Sequence, residues 1–257
     1  LHPDLPFDYY LEMIHGIKEI HPHLHLKCFT STEIRWLADH VAKMSIPETL
    51  DALVRAGLGS LTGGGAEIFA EPTRSEICKG KQSADDWLEV HRVAHGMGLR
   101  STCTMLYGHV ETDADRVDHM LRLRDLQDET GGFTAFIPLA FHPDNSQMAH
   151  IPGPGGTLDI KNYAVARLML DNIDHIKAYW IMVGVAVAQI SQRFGVADLD
   201  GTVVQEKIYH MAGAQTPQEL GVADIRRIIE EMGRRPVERD TLYREVERLG
   251  DTWAVKA

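Results

Sequence analysis

With 257 residues the chain can bury a large core, and a single barrel-type domain of this length is common, so two domains are not required. Its 37 acidic and 26 basic residues leave a net charge of -11, which disfavours nucleic acid or an anionic membrane surface as partner, since either needs a basic face. A small molecule is the expected partner, and no apolar run reaches the length of a membrane span. The three cysteines, Cys28, Cys78 and Cys103, are odd in number and far apart. That spacing gives neither a disulfide framework nor a zinc ribbon and points to a reducing, cytoplasmic compartment. The opening L-H-P-D-L-P lacks the basic and apolar regions of a signal peptide, and with no initiator Met the chain is expected to lack sequence before Leu1.

Phe7, Tyr10, Leu11, Ile14 and Ile17 recur at helical spacing between Pro6 and Ile20. Leu24 to Phe29 alternates as a strand does, and Thr30, Ser31 and Thr32 can cap a helix running to about Lys43. A short helix over Pro47 to Ala56 is closed by Gly57, and a strand over Leu58 to Leu61 spills into Gly63, Gly64, Gly65, Ala66 and Glu67. Ala84 to His95 is helical and leads through Gly96 and Gly98 into a buried strand over Thr102 to Tyr107, with Gly108, His109 and Glu111 at its end. A helix over Ala114 to Gln127 follows. Thr134 to Phe141 is read as a strand, Ile160 to Leu170 as a helix, His175 to Met182 as a strand and Val185 to Phe194 as a helix. A strand near Thr202 to Val204 and a helix over Gln218 to Met232 complete the alternation, and I-P-G-P-G-G after His150 reads as an irregular loop.

Six strands, each followed by helical sequence, stand behind one leading helix that has no strand of its own. A closed alternating barrel has eight strand-helix units. The expected fold is therefore α/β, an incomplete (β/α)8 barrel of about six units over residues 1–233, with residues 234–257 as a charged helical tail packed on it.

In such a fold ligands bind where strands end. The 14 histidines include His21, His23 and His25, spaced to line one side of a strand, but they stand at its start and are expected to be structural. His109, His142 and His210 lie beyond strand ends, where a structural and a functional role are equally open. Gly63 to Glu67 lets backbone approach a ligand, with Glu67 able to grip a ribose diol or an ammonium; a permissive turn is the plainer alternative. Polar groups at three successive strand ends, Gly63 to Glu67, Tyr107 to Glu111 and Phe141 to Asp144, favour a binding site. Lys27 and Lys177 occupy strand interiors, where an unpaired charge costs several kcal/mol, so each requires a carboxylate partner or an anionic ligand. Each lies two residues before an aromatic of its own strand, Phe29 and Tyr179, so lysine and ring should share a face. Arg74 is a weaker candidate, and Trp36, Trp87, Met105 and Met169 fit core packing.

Together L-H-P-D-L, L-K-C-F-T, G-G-G-A-E-I-F, I-C-K-G-K, T-M-L-Y-G-H-V-E-T, L-R-D-L-Q-D-E-T-G-G-F, F-I-P-L-A-F-H-P, H-I-K-A-Y-W and H-M-A-G-A-Q-T-P resemble the radical S-adenosylmethionine enzymes of the futalosine route to menaquinone, over almost the whole chain. The resemblance is nearer to the aminofutalosine synthases than to the cyclic dehypoxanthine futalosine synthases, and deazaflavin synthases are more distant. It implies a radical S-adenosylmethionine barrel, a 4Fe-4S cluster on a C-x3-C-x2-C loop and S-adenosylmethionine as co-substrate. The deoxyadenosyl radical would add to 3-[(1-carboxyvinyl)oxy]benzoate, with rearrangement and decarboxylation, and flavodoxin or ferredoxin would donate the electron. None of the three cysteines has the loop's spacing, so the chain offers no metal ligand and the cluster cysteines are expected before Leu1. The resemblance implies S-adenosylmethionine contacts at His2, Thr30, Ser60, Gly64, Gly65, Glu67, Tyr107, His109, Pro138 and Leu139. It implies substrate contacts at Lys27, Arg74, His142, Lys177, Tyr179 and His210, and it assigns no catalytic residue. Two other classes remain beside it: a metal-dependent barrel hydrolase using His109, His142, His210 and Glu67, and a binding module without chemistry.

Overall fold

The computed structural model describes residues 1–257 except Val204, Asp251 and Ala257. Four strands, β1 (Ser60–Leu61), β2 (Arg100–Tyr107), β3 (Phe133–Ala140) and β4 (His175–Ile176), form a parallel sheet in chain order. Single parallel bridges extend both edges, Lys27 to Ser60 on one side and Lys177 to Asp198 on the other. Backbone hydrogen bonds from Gly59 to Leu26 (2.9 Å) and from Ala178 to Asp198 (2.9 Å) hold these outer segments in place. The result is six parallel strand positions joined by helices, an α/β arrangement open between its first and last strands. β2 is buried along nearly its whole length, as expected of a strand covered on both faces.

Local chemistry fixes the helix starts. Thr30, Ser45, Ser83 and Thr112 each accept the N–H three residues on, and Glu33, Glu48, Asp86 and Asp115 accept the capping residue's own N–H in return. The helices Ser31–Trp36, Ile46–Ala56, Ala84–Gly96 and Asp113–Thr130 therefore begin where the sequence predicts. Trp87 and Met105 are fully buried, while Trp36 and Met169 pack at the margins of the core.

Three expectations are corrected. The last strand position lies at Asp198, not near Thr202 to Val204; Val204 is outside the described residues. β4 covers only His175–Ile176, because the chain turns into a short helix, Trp180–Val183, whose Trp180 donates to the Gly201 carbonyl at 3.1 Å. A short apolar run is compatible with a strand or a buried helix, and periodicity alone does not separate them. The tail expected to be helical is an antiparallel pair, β5 (Val246–Leu249) with β6 (Thr252–Val255). Gly233 and Pro236 interrupt helical continuation, and the Val, Trp and Thr content after them favours strands. The tail reaches the sheet through Arg239, which donates to Asp198 at 2.6 Å, and through Tyr243, whose ring lies 4.9 Å from that of His175. Among the described residues no helix is long and apolar enough to cross a membrane.

Candidate active site

The glycine segment runs along β2 instead of standing free at a strand end. Gly63 donates to the Thr102 hydroxyl (3.0 Å) and accepts from the Thr104 hydroxyl (2.7 Å), and Leu106 donates to the Glu67 carbonyl (2.7 Å). A Cβ on Gly63 would stand 2.6 Å from the Thr102 carbonyl oxygen, so the backbone that this glycine admits is that of the neighbouring strand. Arg74 is almost fully buried beneath the segment. Its guanidinium donates to the carbonyls of Ala66 (2.5 Å), Ile68 (2.9 Å), Gly65 (3.4 Å) and Gln82 (2.7 and 3.3 Å). With its donors spent on backbone, Arg74 braces the loop and does not fit the substrate-carboxylate role given it above. Glu67 ends the segment at a φ of 49° and pairs with Lys81 at 2.6 Å on the partly open side. Close by, the Thr32 hydroxyl is buried without a partner. Gly64 accepts from the Trp87 indole at 3.2 Å.

At the end of β2 the polar groups are likewise consumed internally. The Tyr107 hydroxyl donates to Asp159 at 2.7 Å from within the core, and burial pushes both Tyr107 and the Asp159 carboxyl above their usual ranges. Glu111 accepts from the N–H groups of Gly108 (2.7 Å) and His109 (2.8 Å) and from Arg116 (2.5 Å). The His109 ring is closed off from solvent, 3.2 Å from Glu111 and 3.2 Å from the Leu106 carbonyl. His142 meets the Ala212 carbonyl at 2.9 Å, and its ring lies 4.7 Å from that of Tyr209, tilted to it; burial pushes the Tyr209 hydroxyl up to about 12. His210 is held between the Thr216 carbonyl (2.5 Å) and Glu206 (2.7 Å), which together raise its pKa.

Of the other named residues, Thr30 serves as a helix cap and Ser60 is bound to His25 at 2.8 Å, near the start of β2, away from the strand ends. His2 is exposed, its backbone tied to the Tyr10 hydroxyl at 3.0 Å. Pro138 and Leu139 pair with Met105 and Leu106 in the last turns of β3.

The two strand lysines do converge, and they differ. Lys177 donates to Asp200 at 2.5 Å and lies 3.7 Å from Asp198; burial alone would lower its pKa, but the two carboxylates outweigh it and raise it. Asp198 also binds Arg239, so burial notwithstanding it stays below the usual carboxylate range. Lys27 has no carboxylate or carbonyl on its ammonium among the described residues, and burial together with Lys177 and Arg239 pushes it down to about 8. Phe29 does not share its face: a φ of 62° breaks the alternation, and Phe29 packs on Tyr10 behind the sheet. Tyr179 remains beside Lys177 and is raised by burial. The ring common to both lysines is Tyr243, 6.0 Å from Lys27 and 5.5 Å from Lys177. Asp198, Asp200, Arg239 and Tyr243 escaped the sequence reading, as did Asp159. The R-D-T-L-Y-R run of the tail was the available signal, but a charged tail reads as a solvated surface.

No three His, Cys, Asp or Glu side chains converge on a metal-sized point among the described residues, so His109, His142, His210 and Glu67 do not build the hydrolase centre considered above. Nor do the cysteines fit a 4Fe-4S cluster: Cys78 and Cys103 are buried apart in the core, and burial pushes the Cys103 thiol well up, away from the thiolate that iron requires.

Parallel strands with a helix after each define an α/β fold of the β/α-barrel class, here incomplete. Methylornithine synthase shares the fold, with a TM-score of 0.57 at 15% identity over 90% of this chain and 64% of that one. Residues 130–250 match the family described as CofH/MqnC C-terminal region. Aminodeoxyfutalosine synthase of Thermus thermophilus is 51% identical over 249 residues, 95% of this chain and 67% of that protein. The synthase of Streptomyces coelicolor is 45% identical over 95% of this chain and 65% of its own length. The 5-amino-6-(D-ribitylamino)uracil--L-tyrosine 4-hydroxyphenyl transferase of Methanopyrus kandleri is 41% identical over 96% of this chain and 68% of its own length. The chain thus spans about two thirds of these relatives. It belongs to the radical S-adenosylmethionine enzyme family that contains the aminodeoxyfutalosine synthases and the CofH/MqnC proteins.

Proposed function

We propose that the chain is the larger part of an aminodeoxyfutalosine synthase, which joins the 5'-deoxyadenosyl group of S-adenosylmethionine to 3-[(1-carboxyvinyl)oxy]benzoate in menaquinone biosynthesis. The observation that carries this reading is the 51% identity to the Thermus synthase, against 41% to the Methanopyrus transferase over the same span. S-adenosylmethionine is a co-substrate here, and radical addition to the enol double bond, rearrangement and loss of a carboxyl group yield aminodeoxyfutalosine. The cluster and its electron donor, a flavodoxin or ferredoxin, engage sequence other than these cysteines, and no residue of this chain is assigned to that step.

What these residues do is bind and exclude. Glu67, at the end of the glycine segment whose Gly65 lies against the unpartnered Thr32 hydroxyl, offers acceptors for a ribose diol or the methionine ammonium. A barrel closed by the rest of the protein would keep water from the radical. Reconstituting the intact protein anaerobically with iron, sulfide, S-adenosylmethionine, a chemical reductant and the enol-ether benzoate should give aminodeoxyfutalosine with the adenosyl carbon in the product. Release of 5'-deoxyadenosine with consumption of L-tyrosine, the benzoate left untouched, would overturn the reading.

A further inference from the structure

The lysine layer holds one more positive charge than it can balance. Lys27, Lys177 and Arg239 face Asp198 and Asp200, three cations against two carboxylates. Both carboxylates are engaged by Lys177 and Arg239, at 2.5 and 2.6 Å, so the excess falls on Lys27. Lys27 is half-buried, and among the described residues its ammonium is left without a carboxylate beside two other cations; a perturbed cation with no protein partner marks a ligand-site candidate. The Tyr243 ring lies 6.0 Å from the Lys27 ammonium, and its hydroxyl is buried and makes no hydrogen bond of normal geometry, although Lys177 is close by. Arg239 lies 4.1 Å over the Tyr243 ring and fixes its plane. Tyr243 and Asp200 both sit at a φ of 65°, a conformation that a non-glycine residue holds only where its surroundings over-determine it.

We propose that Lys27 and the Tyr243 hydroxyl form a subsite for a single carboxylate of an aryl acid, with Lys177 and Arg239 neutralised beside it as its fixed wall. The sheet supplies the charge and the C-terminal tail supplies the hydrogen-bond donor and the ring face. One carboxylate brings the layer to neutrality, whereas a phosphate dianion overshoots it. Because Lys177 is already paired, it positions the layer and does not bind the ligand. The subsite rests on the aryl-acid substrate proposed above, yet the two can fail separately: carboxylate binding is measured without turnover.

Benzoate is titrated by calorimetry into the intact protein. Lys27→Met and Tyr243→Phe should each weaken binding at least tenfold, raise the KM for the aromatic substrate and leave the affinity for S-adenosylmethionine unchanged. Affinity in the unsubstituted protein should fall as pH rises through about 8, where Lys27 loses its proton while Lys177 and Arg239, both raised by their carboxylate partners, keep theirs. Should Lys27→Met fail to fold, Tyr243→Phe and the pH profile decide. Unchanged benzoate affinity in Tyr243→Phe, a flat profile from pH 7 to 9.5, or no benzoate binding at all overturns the subsite. Benzoate binding that follows this pattern in a protein that makes no aminodeoxyfutalosine upholds the subsite and sinks the synthase reading.

Discussion

Arg74, buried, and Lys27, half-buried, are both cations drawn out of water, and they stand in opposite states. Arg74 directs its guanidinium at the carbonyls of Gly65, Ala66, Ile68 and Gln82, so the glycine segment and the cation satisfy each other. Lys27 faces two other cations, and the carboxylates near it belong to them. A fully used polar group is part of the scaffold, and its removal costs folding; a polar group left unused inside a protein is poised for something that arrives. From sequence both were candidates for the same substrate carboxylate, and only their partners distinguish them.

That contrast predicts where stability and binding separate. The largest folding effect is expected for Arg74→Met, which orphans several buried carbonyls at once and should cost about 4 kcal/mol in denaturant unfolding. A variant that unfolds normally but binds carboxylates poorly would return Arg74 to the ligand site. Tyr107→Phe should be milder, about 2 kcal/mol, because it removes one donor from the buried Asp159. Its effect has a sign in pH. Burial raises the folded pKa of Asp159, so the folded state binds more protons than the unfolded one just above the ordinary carboxylate range, and stability falls as pH rises through that window. Loss of the Tyr107 hydrogen bond raises that pKa further, so the decline should be steeper in the variant, and parallel stability-pH curves would show that Asp159 has another partner. The smallest folding effect is expected for Glu67→Gln, whose pair with Lys81 is partly exposed and worth less than about 1 kcal/mol. Affinity for S-adenosylmethionine should fall nonetheless, and an unchanged affinity would assign Glu67 to the surface.

Much of the fold was written locally. The capping pairs Thr30 with Glu33 and Thr112 with Asp115 mark helix starts, and the short uncharged run from Thr102 to Tyr107 between glycines marks a buried strand. Where local signals compete, the reading erred. The H-I-K-A-Y-W run extends β4 in sequence but turns into a helix once Trp180 is anchored on Gly201, a residue well beyond it in the chain. The tail gave no local sign that its charges and its tyrosine turn inward.

The sequence by itself determined the alternation of strands and helices, the two lysines inside strands, the glycine segment after β1 and the family, because each is a property of spacing or of residues read in order. Only the tertiary structure decided which polar groups are spent and which are left over. Arg74 is absorbed by carbonyls that its own loop folds around it, Phe29 is turned behind the sheet by one left-handed backbone angle, and Tyr243 is carried from a distant tail to the face that Lys27 presents. Hydrogen-bond satisfaction depends on partners brought together from far apart in the chain, which no local pattern records.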